Sequence, residues 1–140
     1  MLINILCIKN IEKEMYQQQG YTQSYAAAQK EGLTQVEMEC RAFICTASAF
    51  NRIKEHWEEE KKNLPEALEK NKLLWTVIAT SMKEDDCPQP QAVRNNIIQL
   101  AAFVFKRTFE LLGDPRPEGL DVLININMNI ARGLSGKATD

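Results

Sequence analysis

An all-α fold, an antiparallel helical bundle of four long helices plus a short N-terminal helix, is predicted by three features of the sequence. Apolar residues recur at three- and four-residue spacing over long stretches. The breaks between those stretches carry helix-ending or helix-starting residues, at Gly32, at Asn63 and Pro65, through residues 84–90, and at Asp114 and Pro115. Only one segment alternates like a strand, and no other segment offers it a partner.

Taken in order, the first helix is short, over residues 22–30, and Gly32 ends it. Thr34 with Glu37 forms a capping box for a long second helix, buried along Val36, Cys40, Phe43, Ala47, Phe50 and Trp57. Asn63 and Glu66 repeat the capping arrangement, and Pro65 fits the first turn because the amide it lacks would have no helical partner there. The third stripe runs through Leu64, Ala67, Leu68, Leu74, Trp75, Ile78 and Met82. Three acids and two prolines in residues 84–90 form a loop. A fourth helix over residues 91–112 buries Val93, Ile97, Leu100, Ala101, Val104 and Leu111, and Asp114 with Pro115 starts the fifth.

The fifth segment is ambiguous by period alone. Val122, Ile124, Ile126, Met128 and Ile130 alternate with polar residues, as in a strand, while Leu120, Leu123, Ile124, Asn127, Ile130, Ala131 and Leu134 fit one helical face. The Asp-Pro start, the stop at Gly133 and the missing partner strand favour the helix. Projected at about 100° per residue, it confines Asp121, Asn125, Asn129 and Arg132 to a narrow polar edge. So wide an apolar arc means either a helix central to the bundle or one that receives another chain, a homodimer partner included. Asn127 falls inside the arc, which predicts a buried amide bonded to another polar group such as Asn71.

Composition narrows the function. With 17 basic and 19 acidic side chains, mostly interleaved, there is no clustered positive charge to bind a nucleic-acid backbone. The apolar run near the N-terminus is too short for a membrane span and lacks a signal-peptide pattern, so residues 1–14 read as an upstream extension, residues 15–134 as one domain and residues 135–140 as a loose tail. Cys7, Cys40, Cys45 and Cys87 form no CxxC pair and His56 is the single histidine, which leaves no metal-binding constellation. Cys40 and Cys45, turned about 140° apart on one helix, do not bridge, and free thiols fit a reducing cytoplasm. His56 projects opposite the apolar stripe and reads as solvated surface. No catalytic group and no glycine-rich cofactor loop is recognisable, so a non-enzymatic binding protein is expected.

Phe103 projects into the polar arc of the fourth helix, among Gln99, Lys106, Arg107 and Glu110. It is either an interface anchor or one of the single exposed apolar residues common on any surface. Leu73 and Val77, displaced on the third helix, either continue such a patch or pack against the N-terminal segment. The candidate partner-binding residues are Phe103, Arg107, Ile126, Met128 and Ile130.

Several runs resemble one family. Lys106-Arg107-Thr108-Phe109-Glu110, the connector Gly113-Asp114-Pro115-Arg116-Pro117-Glu118, and residues 121–129 closed by Gly133-Leu134 together resemble FlaF, a family of small bacterial flagellar regulators. Met15-Tyr16-Gln17 and Leu74-Trp75-Thr76 extend the likeness, and Met128 departs from it, standing where an arginine is expected. The resemblance implies a cytoplasmic protein needed for flagellin synthesis, export and flagellum assembly, with flagellin or the partner regulator FlbT as its ligand. It is consistent with an export chaperone holding an amphipathic flagellin helix, or with a post-transcriptional regulator acting through FlbT or flagellin messenger RNA.

Overall fold

The computed structural model describes residue 32 and residues 35–134, all helix and connector with no strand among them. The expected helix over residues 22–30, the Thr34 cap, Cys7, the extension and the tail lie outside the described residues. The elements are α1 (Gln35–Glu55), a single turn α2 (Trp57–Glu60), a 3-10 turn (Lys61–Asn63), α3 (Leu64–Met82), α4 (Gln91–Gly113), a second 3-10 turn (Pro117–Leu120) and α5 (Asp121–Leu134). The four long helices form the expected bundle, and the fifth segment is a helix.

Three boundaries differ from the sequence expectation. The second predicted helix does not run through Trp57: it breaks at His56, with φ −117° and ψ 47°. The break puts Glu58, Glu59 and Glu60 in the first turn of a new helix, where acids favour the positive end of the peptide dipoles. Asn63 does not cap α3. The chain arrives already helical from the 3-10 turn, so Asn63 lacks the extended backbone of a cap, and its Nδ2 donates to Glu60 Oε2 at 2.7 Å. The last helix starts at Asp121, not at Asp114-Pro115. A residue preceding proline is pushed out of the helical region, and Arg116 before Pro117 is extended at φ −145° and ψ 135°.

α1 and α5 pair antiparallel. Lys54 near the end of α1 bridges to Asp121 at the start of α5, and toward the other end Cys40 Sγ lies 3.4 Å from the Ala131 carbonyl. α3 and α4 form the second pair, folded back at residues 83–90. Arg94 secures that turn by donating from Nε to the Met82 carbonyl at 2.7 Å and from Nη2 to the Glu84 carbonyl at 2.9 Å, satisfying backbone acceptors that the end of α3 leaves open. The pairs meet around Phe43 and Trp75, edge to face with ring centroids 5.7 Å apart. At the far end the connector presses on α4: a Cβ on Gly119 would fall 2.5 Å from Leu111 Cδ2, so only glycine fits without displacement.

Candidate partner-binding surfaces

Among the described residues, one polar cluster lies in the interior. Asn127 of α5 is fully buried, and its Oδ1 accepts from Trp75 Nε1 at 3.0 Å. Its Nδ2 donates to Thr46 Oγ1 at 2.8 Å and to Asn71 Oδ1 at 2.7 Å. Thr46 in turn donates to the Phe43 carbonyl at 2.9 Å. The expected Asn127–Asn71 pairing is therefore present. One amide ties α1, α3 and α5 together, and it fixes the register of α5, since a slip of one residue would strand every partner.

A second buried polar group was not foreseen. Glu39 is 1% exposed, and neither carboxylate oxygen has a hydrogen-bond partner. It stands on the innermost line of α1, in alternate four- and three-residue steps with Phe43, Thr46, Phe50 and Ile53, all buried. Removal from water pushes its carboxyl up to about 8, so it is largely protonated at neutral pH. A glutamate in phase with a core stripe was the signal.

The five candidate binding residues do not gather into one surface. Phe103 and Arg107 lie on α4 and the other three on α5, two helices that make little contact. Phe103 is 39% exposed, with the Arg107 guanidinium 5.7 Å over its ring. Arg107 Nε approaches Glu110 Oε2 only to 3.6 Å, too long for a hydrogen bond. Ile126 and Met128 are half-buried, whereas Ile130 is 6% exposed and belongs to the core. Ile130 falls on the same side of α5 as Leu123 and Asn127, which removes it as a direct contact. Val77 is likewise buried and Leu73 half-buried against the core, so neither extends the Phe103 patch.

The wide arc of α5 resolves into two parts. Leu123, Asn127, Ile130 and Ala131 face the interior, and Asp121, Asn125, Asn129 and Arg132 form the exposed edge. Ile124 and Met128 turn sideways and, with Ala47, floor an open groove of about 350 Å³ between α1 and α5, rimmed by Ser48, Asn51, Arg52 and Glu55. Met128, the departure from the family pattern, thus adds apolar surface to this groove.

The most open apolar residues are on α4 and were missed. Phe109 is 81% exposed and Leu112 42%, on a different flank from Phe103. His56 is exposed, and Cys40 and Cys45 form no disulfide with each other, as expected. No helix among the described residues is long and apolar enough to cross a membrane, and no cluster of potential metal ligands occurs among them.

Fold and surface together define an antiparallel helical bundle with a polar clamp at its centre and uncovered apolar surface on its outer helices. Residues 21–134 match the model of the family described as flagellar protein FlaF, and the chain belongs to that family. Neither the curated proteins nor the solved structures gave a match.

Proposed function

We propose that this FlaF-family protein supports flagellin production and filament assembly by binding unassembled flagellin in the cytoplasm, as an export chaperone without catalytic activity of its own. Regulation of flagellin synthesis, alongside or opposite FlbT, then follows from how much flagellin is held. The observation that carries the reading is the outward apolar surface of α4, where Phe109 stands open to solvent. Such a surface is what helix-in-groove recognition needs, the bound helix turning its own apolar face away from water. The charge balance argues against a nucleic-acid ligand, because basic side chains are mostly interleaved with acidic ones.

Calorimetric titration of the full chain with flagellin from the same organism tests the proposal, with FlbT and the flagellin messenger leader as parallel ligands. Saturable binding to flagellin is expected. Binding to the messenger leader alone would overturn the chaperone reading, and binding to FlbT alone would replace it with an adaptor.

A further inference from the structure

The methionines of the bundle are not equally protected from solvent. Met38 and Met82 belong to the core, at 5% and 0% exposure. Met128 is half-buried on the flank of α5, where its side chain lines the open groove between α1 and α5. Met1 and Met15 lie outside the described residues. Beside Met128 the groove has an apolar floor, Ala47 and Ile124, and a rim with hydrogen-bond donors on Ser48, Asn51 and Arg52. The Arg52 side chain is 61% exposed, and its Nε stands 3.9 Å from Glu60 Oε2, beyond hydrogen-bonding distance.

A methionine thioether packs as an apolar group but carries a reactive sulfur. A peroxide transfers one oxygen to it: a sulfur lone pair forms the S–O bond, the O–O bond breaks, and hydrogen peroxide leaves as water. The sulfur loses two electrons and the peroxide gains them. Two thiols acting through a sulfoxide reductase return the thioether, with a disulfide and water as the other products. The forward step needs access to the sulfur, which close packing denies at Met38 and Met82 and the open groove allows at Met128. The product needs room and a donor for its new oxygen, and the groove and its rim supply both. We propose that Met128 is a reversible oxidation site, at which a peroxide converts the floor of the α1/α5 groove from apolar to polar without unfolding the bundle.

The site is independent of the flagellin reading. Its test treats the full chain with hydrogen peroxide, then with a thiol, which reverses mild oxidation at the exposed Cys45, and follows each methionine by peptide mass spectrometry. Met128 is expected to take up oxygen about tenfold or more faster than Met38 and Met82, following its exposure. Methionine sulfoxide reductase with its thiol reductant should restore the original mass. In NMR spectra the oxidised chain should show shifted amide signals for the groove residues. The indole N–H signal of Trp75, held by its bond to Asn127 Oδ1, should stay in place. Met128→Leu, which keeps the floor apolar and removes the sulfur, should abolish the groove shifts under the same treatment.

Oxidation of Met128 no faster than that of Met38 and Met82 overturns the inference, because the groove would then give the sulfur no access. Loss of the Trp75 signal in step with Met128 oxidation overturns it as well, since the sulfoxide would then act by unpacking the core. A sulfoxide that the reductase cannot return to the thioether in the folded chain makes the site a lesion and not a switch. Groove shifts that persist in Met128→Leu would assign the change to another group, and the inference would fail there too.

Discussion

Asn127 and Glu39 are both polar, both buried within one bundle, and opposite in how the protein treats them. Asn127 meets three partners on two other helices, whereas Glu39, near the start of α1, meets none for its carboxylate oxygens. Both stand on core-facing lines of their helices. The difference shows that a helical period places a side chain inside but does not say whether its hydrogen bonds are met there. That depends on which polar residues the neighbouring helices bring to the same level.

The largest expected effect comes from emptying the satisfied site. Asn127→Ala removes the acceptor of the Trp75 indole and the donor to Asn71, and it leaves a cavity between three helices. Stranding buried polar groups and opening a void together cost about 3–5 kcal/mol. Urea unfolding should show that drop in stability. Asn127→Asp should also destabilise, since a carboxylate offers no donors to Asn71 and Thr46.

The unsatisfied site predicts a change of opposite sign, governed by pH. Glu39 has its carboxyl raised from 4.5 to about 8 in the folded protein. Below the unfolded value both states are protonated and nothing is lost. As the pH rises from there toward 8, the unfolded chain gives up its proton while the folded one retains it, so stability falls across this window. At about 1.4 kcal/mol per pH unit, the loss reaches about 3 kcal/mol by neutrality. Glu39→Gln removes the ionisation and should flatten the stability profile between pH 5 and 8, becoming more stable than the parent toward the alkaline end. Parallel profiles for the two proteins would mean that Glu39 does not titrate as its burial implies.

The sequence made much of this architecture readable, for reasons that are local. The apolar stripe of α3 and the breaks at Gly32, residues 84–90 and Asp114-Pro115 follow from helical period and from what glycine and proline do to a backbone. Asn127 was legible because an amide in an otherwise apolar arc needs a partner, and Asn71 offered one. Its bonds to Trp75 and Thr46 were not legible, because they depend on how three helices align. The break at His56 was hidden, since a continuous helix and a restarted one share the same period. Phe109 was less legible, because it lies off the core line of α4 formed by Ile97, Ala101, Val104, Thr108 and Leu111, and an apolar residue off that line carries no periodic signal of its own exposure. Ile130 shares the helical face of Leu123 and Asn127, but an apolar arc this wide does not by itself say which of its residues face the core and which lie at its outer edge.

The smallest prediction sharpens the contrast. Thr46→Val keeps the shape of the side chain and removes one acceptor from Asn127 Nδ2, while Asn71 continues to hold the other hydrogen. A single unmet donor inside a packed core costs about 1–3 kcal/mol, and the extra apolar contact of valine offsets part of it, so a net loss of about 1–2 kcal/mol is expected. Thr46→Ser, which retains the hydroxyl, separates the two contributions through the missing methyl. If Thr46→Val proves neutral in urea unfolding while Asn127→Ala does not, the clamp matters through the space it fills more than through the bonds it makes. The difference between Asn127 and Glu39 would then rest on charge alone, because a neutral amide tolerates one missing partner and a carboxylate held from water does not.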